Sequence, residues 1–241
     1  MAGTADRHLW LLPERAAEGF VARLGGTALL TDGERARCER PLALPARLRR
    51  TAALLLARHA LSSLSGHPLD SWRFTATSDG RPEPVTPLGS GLRFNLSHTD
   101  GLIACVVTEG GRACGVDTEA AHATADAVRH LPAHFAEPEQ ADLARLADLA
   151  AVVGERARAA RVAAYWVLKE AYLKALGTGL RRELSSIAFA GLPGPFITLD
   201  DTRRSARFWQ FDLVHPTPDH VVAVATEHTG PQGLRTTVVT D

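Results

Sequence analysis

The sequence is poor in the features that would tie it to a thiolate metal site, a membrane or a nucleic acid. It holds three cysteines, Cys38, Cys105 and Cys114. An odd, scattered set without metal-ligand spacing describes neither a disulfide framework nor a zinc site, so the thiols are read as free in a reducing cytosol. No stretch approaches the ~18 apolar residues needed to cross a bilayer. Met1 to Asp6 is polar and lacks the basic segment and apolar run of a signal peptide. Charge of one sign is missing too, because Lys+Arg and Asp+Glu stand at 27 each and the formal net charge is zero. No global field draws the chain to nucleic acid or an anionic membrane, so any anion must be held by a local cluster. These absences predict a soluble, cytoplasmic protein.

Hydrophobic sequence, by contrast, is ample. At 241 residues and 45% hydrophobic content, the chain supports one large domain or two intimate lobes and is not a disordered protein. The stretch that organises the rest runs from Tyr165 to Leu180. Leu168, Ala171, Tyr172, Ala175 and Leu176 follow the i, i+3, i+4, i+7, i+8 spacing of an amphipathic helix, and Gly177 and Gly179 stop it. Trp166, Glu170 and Lys174 then share the opposite face one turn apart, with Lys169 on the flank of the apolar stripe. On a solvated face such a Glu-Lys pair stabilises the helix by about 0.2–0.5 kcal/mol and needs no further role. An aromatic, a carboxylate and an ammonium on one wall also describe one side of a reaction site.

Along the chain, His8 to Leu12 reads as a strand ended by Pro13, and Thr31-Asp32 opens a basic, helical segment. Arg47 to Leu64 is a second helix, and the arginines from Arg35 to Arg50 are either ordinary surface charge or a phosphate-binding rim, since guanidinium forks match phosphate oxygens. Trp72 to Thr75 is a strand, and Ser78 to Pro84 is turn-rich. A meander follows: Leu92 to Ser97, Leu102 to Val107 and Cys114 to Glu119, joined by Thr99-Asp100-Gly101 and Glu109-Gly110-Gly111. The period of two in the last strand puts Asp117 and Glu119 on one face and Val116 and Thr118 on the other. Pro132 to Leu149 is mostly helical, with a start near Glu137-Pro138-Glu139. Short strands near Ile187, Phe196, Phe208 and Val221 complete the chain, and the tail after Gly230 is expected to fray.

Each half runs helix, strand, loop and hairpin, and each hairpin ends in Thr-Glu, at Thr108-Glu109 and Thr226-Glu227. The expected fold class is therefore α+β, a pseudo-twofold pair of similar lobes over residues 1–110 and 111–241 with the site in the cleft between them.

Two carboxylates on one strand face, brought beside Glu170, would raise one another's pKa unless a cation sat among them. All-oxygen ligands point to Mg2+ or Mn2+, which complete their shells with substrate phosphate oxygens. His98 and Ser97, at a strand end before a glycine turn, are placed either to contact an anion or to serve the structure. Lys174 is suited to neutralise charge on a leaving phosphate. The sum is metal-assisted phosphoryl chemistry on a diphosphate. A Mg2+-dependent phosphohydrolase acting on a nucleotide diphosphate with water as nucleophile, and a binding module that has lost catalysis, use the same residues.

Four motifs narrow the choice. Phe94-Asn95-Leu96-Ser97-His98 with Gly101, Gly115-Val116-Asp117-Thr118-Glu119, Trp166-x-x-Lys169-Glu170-Ala171-x-x-Lys174-Ala175-x-Gly177-x-Gly179, and Gly80-Arg81-Pro82 resemble, in order and spacing, the signatures of the Sfp-type 4′-phosphopantetheinyl transferases. The resemblance implies a monomeric, pseudo-twofold enzyme that moves 4′-phosphopantetheine from coenzyme A to a serine hydroxyl of an apo acyl or peptidyl carrier protein, releasing adenosine 3′,5′-bisphosphate. It implies that Asp117, Glu119 and Glu170 bind Mg2+, with Mn2+ as a substitute, and that Glu170 is the base, acting either directly or through a metal-bound water. It assigns coenzyme A contacts to Lys174, His98, Ser97, Lys169, Arg81 and Pro82, and its 3′-phosphate to Arg37 and Arg50. Thr118 stands where many relatives carry an apolar residue. The two-lobed length resembles the broad-specificity members tied to polyketide and nonribosomal-peptide synthesis rather than the short trimeric synthases.

Overall fold

The structure, a computed structural model, describes residues 6–39, 43–77, 80–87, 89–121, 130–148, 151–194, 196–204, 208–227 and 233–240. It is mixed α+β and divides into two compact units, residues 1–113 with 231–241, and residues 114–230. Among the described residues no helix is long and apolar enough to cross a membrane.

In the first unit, β1 (Arg7–Pro13) leads into α1 (Glu14–Arg23), α2 (Asp32–Cys38) and α3 (Leu44–Ser65). Thr31 and Glu34 close a capping box at the start of α2, each satisfying an N–H that the helix itself leaves unpaired. A small hairpin, β2 (Arg73–Ala76) and β3 (Pro82–Thr86), precedes a long one, β4 (Arg93–Thr99) and β5 (Leu102–Thr108). The sheet order is β11-β1-β5-β4, with β11 at Arg235–Val238. Leu55, Leu56, Phe20 and Trp72 form its core together with Phe94 and Ile103.

In the second unit, β6 (Cys114–Ala120) is followed by α4 (Glu137–Ala147), α5 (Ala151–Leu176), the small hairpin β7 (Ile187–Ala190) and β8 (Thr198–Asp201), and the long hairpin β9 (Trp209–Thr217) and β10 (His220–Glu227). The sheet order is β6-β10-β9. Leu168, Ala171 and Tyr172 of α5 join Val221, Ala223 and Phe211 in one core.

The echo in the sequence is a duplication of topology. In each unit the first strand pairs antiparallel with the second strand of the long hairpin, Arg7 opposite Thr108 in one and Cys114 opposite Thr226 in the other. Phe94 lies opposite Val107 and Phe211 opposite Ala225, the same register in both hairpins. Each of these rings meets a phenylalanine of the small hairpin: Phe74 with Phe94 at 4.8 Å and Phe189 with Phe211 at 4.9 Å between centroids. The long helices end at matching left-handed glycines, Gly66 at φ 74 and Gly177 at φ 67. Eight residues before each glycine stands a fully buried cation, Arg58 or Lys169, paired with the glutamate at the third position of the preceding helix, Glu34 or Glu139.

Two segments depart from the sequence reading. Residues 82–86, within and beyond the turn-rich stretch, form a strand; prolines without an N–H are tolerated because, among the described residues, β3 has a neighbour on one side only. The tail does not fray over residues 235–238, which pair parallel with β1 from His8 to Leu11. Strand pairing across more than two hundred residues leaves no local signal. The turn residues Ser78 and Asp79 lie outside the described residues.

Candidate active site

The site residues of the second unit are set by one close approach. Gly115 of β6 faces α5 so tightly that a Cβ there would lie 2.0 Å from the Ala171 carbonyl oxygen and 2.6 Å from the Ala175 nitrogen. Strand and helix therefore touch backbone to backbone, which only glycine on the strand and small residues on the helix permit. Because side chains alternate along a strand, the face that carries Gly115 also carries Asp117 and Glu119.

On α5, Trp166, Glu170 and Lys174 are half-buried, one turn apart, in a stretch otherwise enclosed from Val162 to Ala175. Lys174 Nζ donates to Asp117 Oδ1 at 2.6 Å and to the Val116 carbonyl at 3.2 Å. Burial pushes the Glu170 carboxyl above the usual carboxylate range, the Asp117 charge pushes it further, and the Lys174 ammonium opposes both. Glu170 Oε1 is buried without a hydrogen-bond partner. Glu119 shares the Asp117 face, but its Oε1 accepts the Ala120 N–H at 3.1 Å.

A desolvated carboxylate with an unsatisfied oxygen, repelled by a second carboxylate, fits the oxygen-donor chemistry of a hard divalent cation. Among the described residues no group of three or more His, Cys, Asp and Glu side chains is gathered closely enough to hold a metal ion. The structure unites Asp117, Glu170 and Lys174, with the ammonium supplying the positive charge.

Lys169 is a correction. The resemblance puts it among the coenzyme A contacts, yet its side chain is fully buried, and its Nζ lies 2.7 Å from Glu139 Oε2 and donates to the carbonyls of Leu184, at 2.9 Å, and Ile187. Glu139 also accepts the N–H groups of Ala136 at 3.0 Å and Phe189 at 2.9 Å. Burial drives both charges toward neutrality and their mutual attraction opposes it. The pair locks α5 to the starts of α4 and β7, one residue from Glu170. Sequence reasoning missed Glu139 and gave Gly115 no role; the available signals were the helix start at Glu137-Pro138-Glu139 and a glycine inside a strand.

Within the first unit, the candidates make contacts of their own. Arg50 Nη1 donates to the Arg37 carbonyl at 3.3 Å, so these two arginines are neighbours at the α2–α3 junction. Arg49 instead pairs with Glu14 at 3.0 Å and Asp100 at 2.6 Å. Arg81 Nη2 donates to the Phe94 carbonyl at 3.1 Å and its Nε lies 3.0 Å from Glu83, while Pro82 opens β3 opposite Ala76. Ser97 is buried and His98 exposed, because neighbours on a strand point to opposite faces.

The duplication explains why the second unit alone carries the cluster. In matching register, Trp10 and Leu12 stand where Asp117 and Glu119 do. Counted back from the terminal glycines, His59 and Ser63 replace Glu170 and Lys174. Trp10 and His59 meet edge to face at 5.3 Å, an apolar contact in place of the coupled carboxylates.

Residues 113–225 match the 4′-phosphopantetheinyl transferase superfamily. The chain is 31% identical over 219 residues to the 4′-phosphopantetheinyl transferase HetI of Nostoc sp. strain PCC 7120, covering 90% of this chain and 86% of that one. Among solved structures it is similar to the holo-acyl-carrier-protein synthase AcpS of Thermotoga maritima, with a TM-score of 0.36 and 20% identity, over 48% of this chain and 62% of that one, a little under two thirds of its length.

Proposed function

The chain belongs to the 4′-phosphopantetheinyl transferase superfamily, and on that premise we propose that it transfers the 4′-phosphopantetheine of coenzyme A to a serine hydroxyl of an apo acyl or peptidyl carrier protein, releasing adenosine 3′,5′-bisphosphate, with Mg2+. The observation that carries the reading is the meeting of Asp117, Glu170 and Lys174 across β6 and α5, with Glu170 Oε1 unsatisfied.

Asp117 and Glu170, which lie together, and Glu119, on the same strand face as Asp117, are the residues that would hold Mg2+, and the ion would supply the positive charge that gathers diphosphate oxygens. Glu170 accepts the proton of the carrier serine, directly or through a water, as that oxygen attacks phosphorus. Lys174 neutralises charge on the departing phosphate. Burying these groups strengthens every such interaction, so positioning does most of the work. His98, Ser97, Arg81 and Pro82 are proposed contacts to coenzyme A, and Arg37 and Arg50 to its 3′-phosphate; Arg50→Ala should raise the KM for coenzyme A and spare kcat.

The three buried cysteines, none of them in a disulfide, fit a cytosolic enzyme, and the duplicated topology within one chain fits a monomer. Carriers of polyketide and nonribosomal-peptide assembly are the proposed partners. The test is intact-protein mass spectrometry of a panel of apo carrier domains incubated with the protein, coenzyme A and Mg2+, with and without chelator. One phosphopantetheine gained on a carrier, lost with chelator and with the acceptor serine changed to alanine, is expected. Coenzyme A cleaved with every carrier unmodified would replace this reading with a hydrolase.

A further inference from the structure

We propose that Lys174 is a tethered counterion that occupies the cationic place beside Asp117 in the free enzyme and yields it when anionic phosphate oxygens draw the ammonium away, so that divalent metal and diphosphate bind as a coupled pair. The inference rests on the transferase reading and concerns how that site loads.

The geometry points to this because the ammonium has chosen between two carboxylates. Lys174 Nζ lies 2.6 Å from Asp117 Oδ1 and is held a second time by the Val116 carbonyl at 3.2 Å, so two of its three N–H groups are committed to β6. Glu170, one turn earlier on the same helix, is left with Oε1 buried and unsatisfied. A lysine placed only to bind phosphate would not need to close on the one carboxylate that a metal must share. A dication ligated by Asp117 must meet the ammonium at contact distance, and two cations at one oxygen repel. The lysine side chain retains 28% exposure against 10% for Asp117, and its four-carbon stem lets the head group swing while the helix stays still.

Anionic phosphate oxygens offer the displaced ammonium a partner as good as the carboxylate it leaves. Metal and diphosphate then help one another: each favours the arrangement in which Lys174 has left Asp117, and by linkage the help is equal in both directions. Metal alone has to displace the lysine with no phosphate to receive it. The device guards the site against loading with metal before substrate is present.

The test reads binding rather than turnover. Mn2+ affinity is measured by electron paramagnetic resonance and titration calorimetry on the wild type, Lys174→Met and Lys174→Gln, without carrier, first with Mn2+ alone and then with saturating coenzyme A. With Mn2+ alone, both variants should bind roughly tenfold or more tighter than the wild type, within the usual range of coupling between sites. Coenzyme A should tighten Mn2+ on every protein, because its phosphate oxygens also ligate the ion, and by roughly tenfold more on the wild type than on the variants. Gln keeps a hydrogen-bond donor toward Val116 and Asp117, so if the Met variant fails to fold, the Gln variant carries the comparison. Variants that bind Mn2+ no tighter than the wild type, or show the same coenzyme A effect, overturn the proposal. If the wild type still modifies carriers in that case, only the lysine inference falls. A wild type that binds no Mn2+ even with coenzyme A, and modifies no carrier, overturns the transferase reading as well.

Discussion

Replacing Gly115 by alanine tests whether the site depends on backbone contact between β6 and α5. The added Cβ would sit 2.0 Å from the Ala171 carbonyl oxygen and 2.6 Å from the Ala175 nitrogen. Ordinary contact begins near 3.5 Å, so strand and helix must part by roughly 1.5 Å. Both clashing atoms are backbone, and no side-chain rotation or truncation on α5 relieves them. Overpacking of this kind costs about 1–3 kcal/mol, to be read as a shift in urea midpoint at unchanged slope. The functional effect should be larger. Lys174 and Glu170 ride on the displaced helix while Asp117 stays on the strand, so Glu170 and Asp117 part and the arrangement that brings the three residues together is lost. A misplacement of about 1 Å costs on the order of 100-fold in rate, which the carrier-modification assay measures as kcat. Ala171→Gly should give no rescue. A Gly115→Ala protein within about twofold of wild-type activity and ~0.5 kcal/mol of its stability would refute the reasoning.

Three further outcomes follow from the same structure. Glu139→Gln strands the fully buried Lys169 ammonium and should cost about 3–5 kcal/mol in chemical denaturation, while adding Lys169→Met should recover most of the loss. Glu170→Gln should lower transfer by at least about 100-fold without destabilising the fold; because the native carboxyl is held high, the variant is the more stable at neutral pH, and the gap should close as pH falls to the ordinary carboxylate range. Burial alone would raise Asp201, but the Arg182 fork, the Tyr172 hydroxyl and the Arg203 N–H outweigh it and hold it at about 2 against an ordinary 3.8. That carboxylate contributes about 2 kcal/mol that is present above pH ~4 and lost as pH falls toward 2, a slope that thermal melts of Asp201→Asn should lack.

Much of this was legible in local pattern. The period of two along β6 put Asp117 and Glu119 on one face, and the spacing on α5 put Trp166, Glu170 and Lys174 on another, since strand and helix geometry depend on near neighbours alone. The α+β class and the transferase family were readable from element order and four short motifs. The repeated hairpin ending in Thr-Glu marked a duplication of strand order.

What only the tertiary structure decided depends on residues distant in sequence. The same helical spacing that placed Glu170 on the open side left Lys169 on a flank, and only the arrival of Glu139 and the β7 hairpin made that flank interior. The motif contained Gly115, but the reason for glycine is a helix that begins thirty-six residues later. Strand β11 owes its existence to β1 at the other end of the chain, and β3 to a one-sided partner that tolerates proline. Residue spacing determined which side chains this protein presents; packing determined that Lys174 chooses Asp117 and leaves Glu170 unsatisfied, because burial and charge are properties of the assembled neighbourhood.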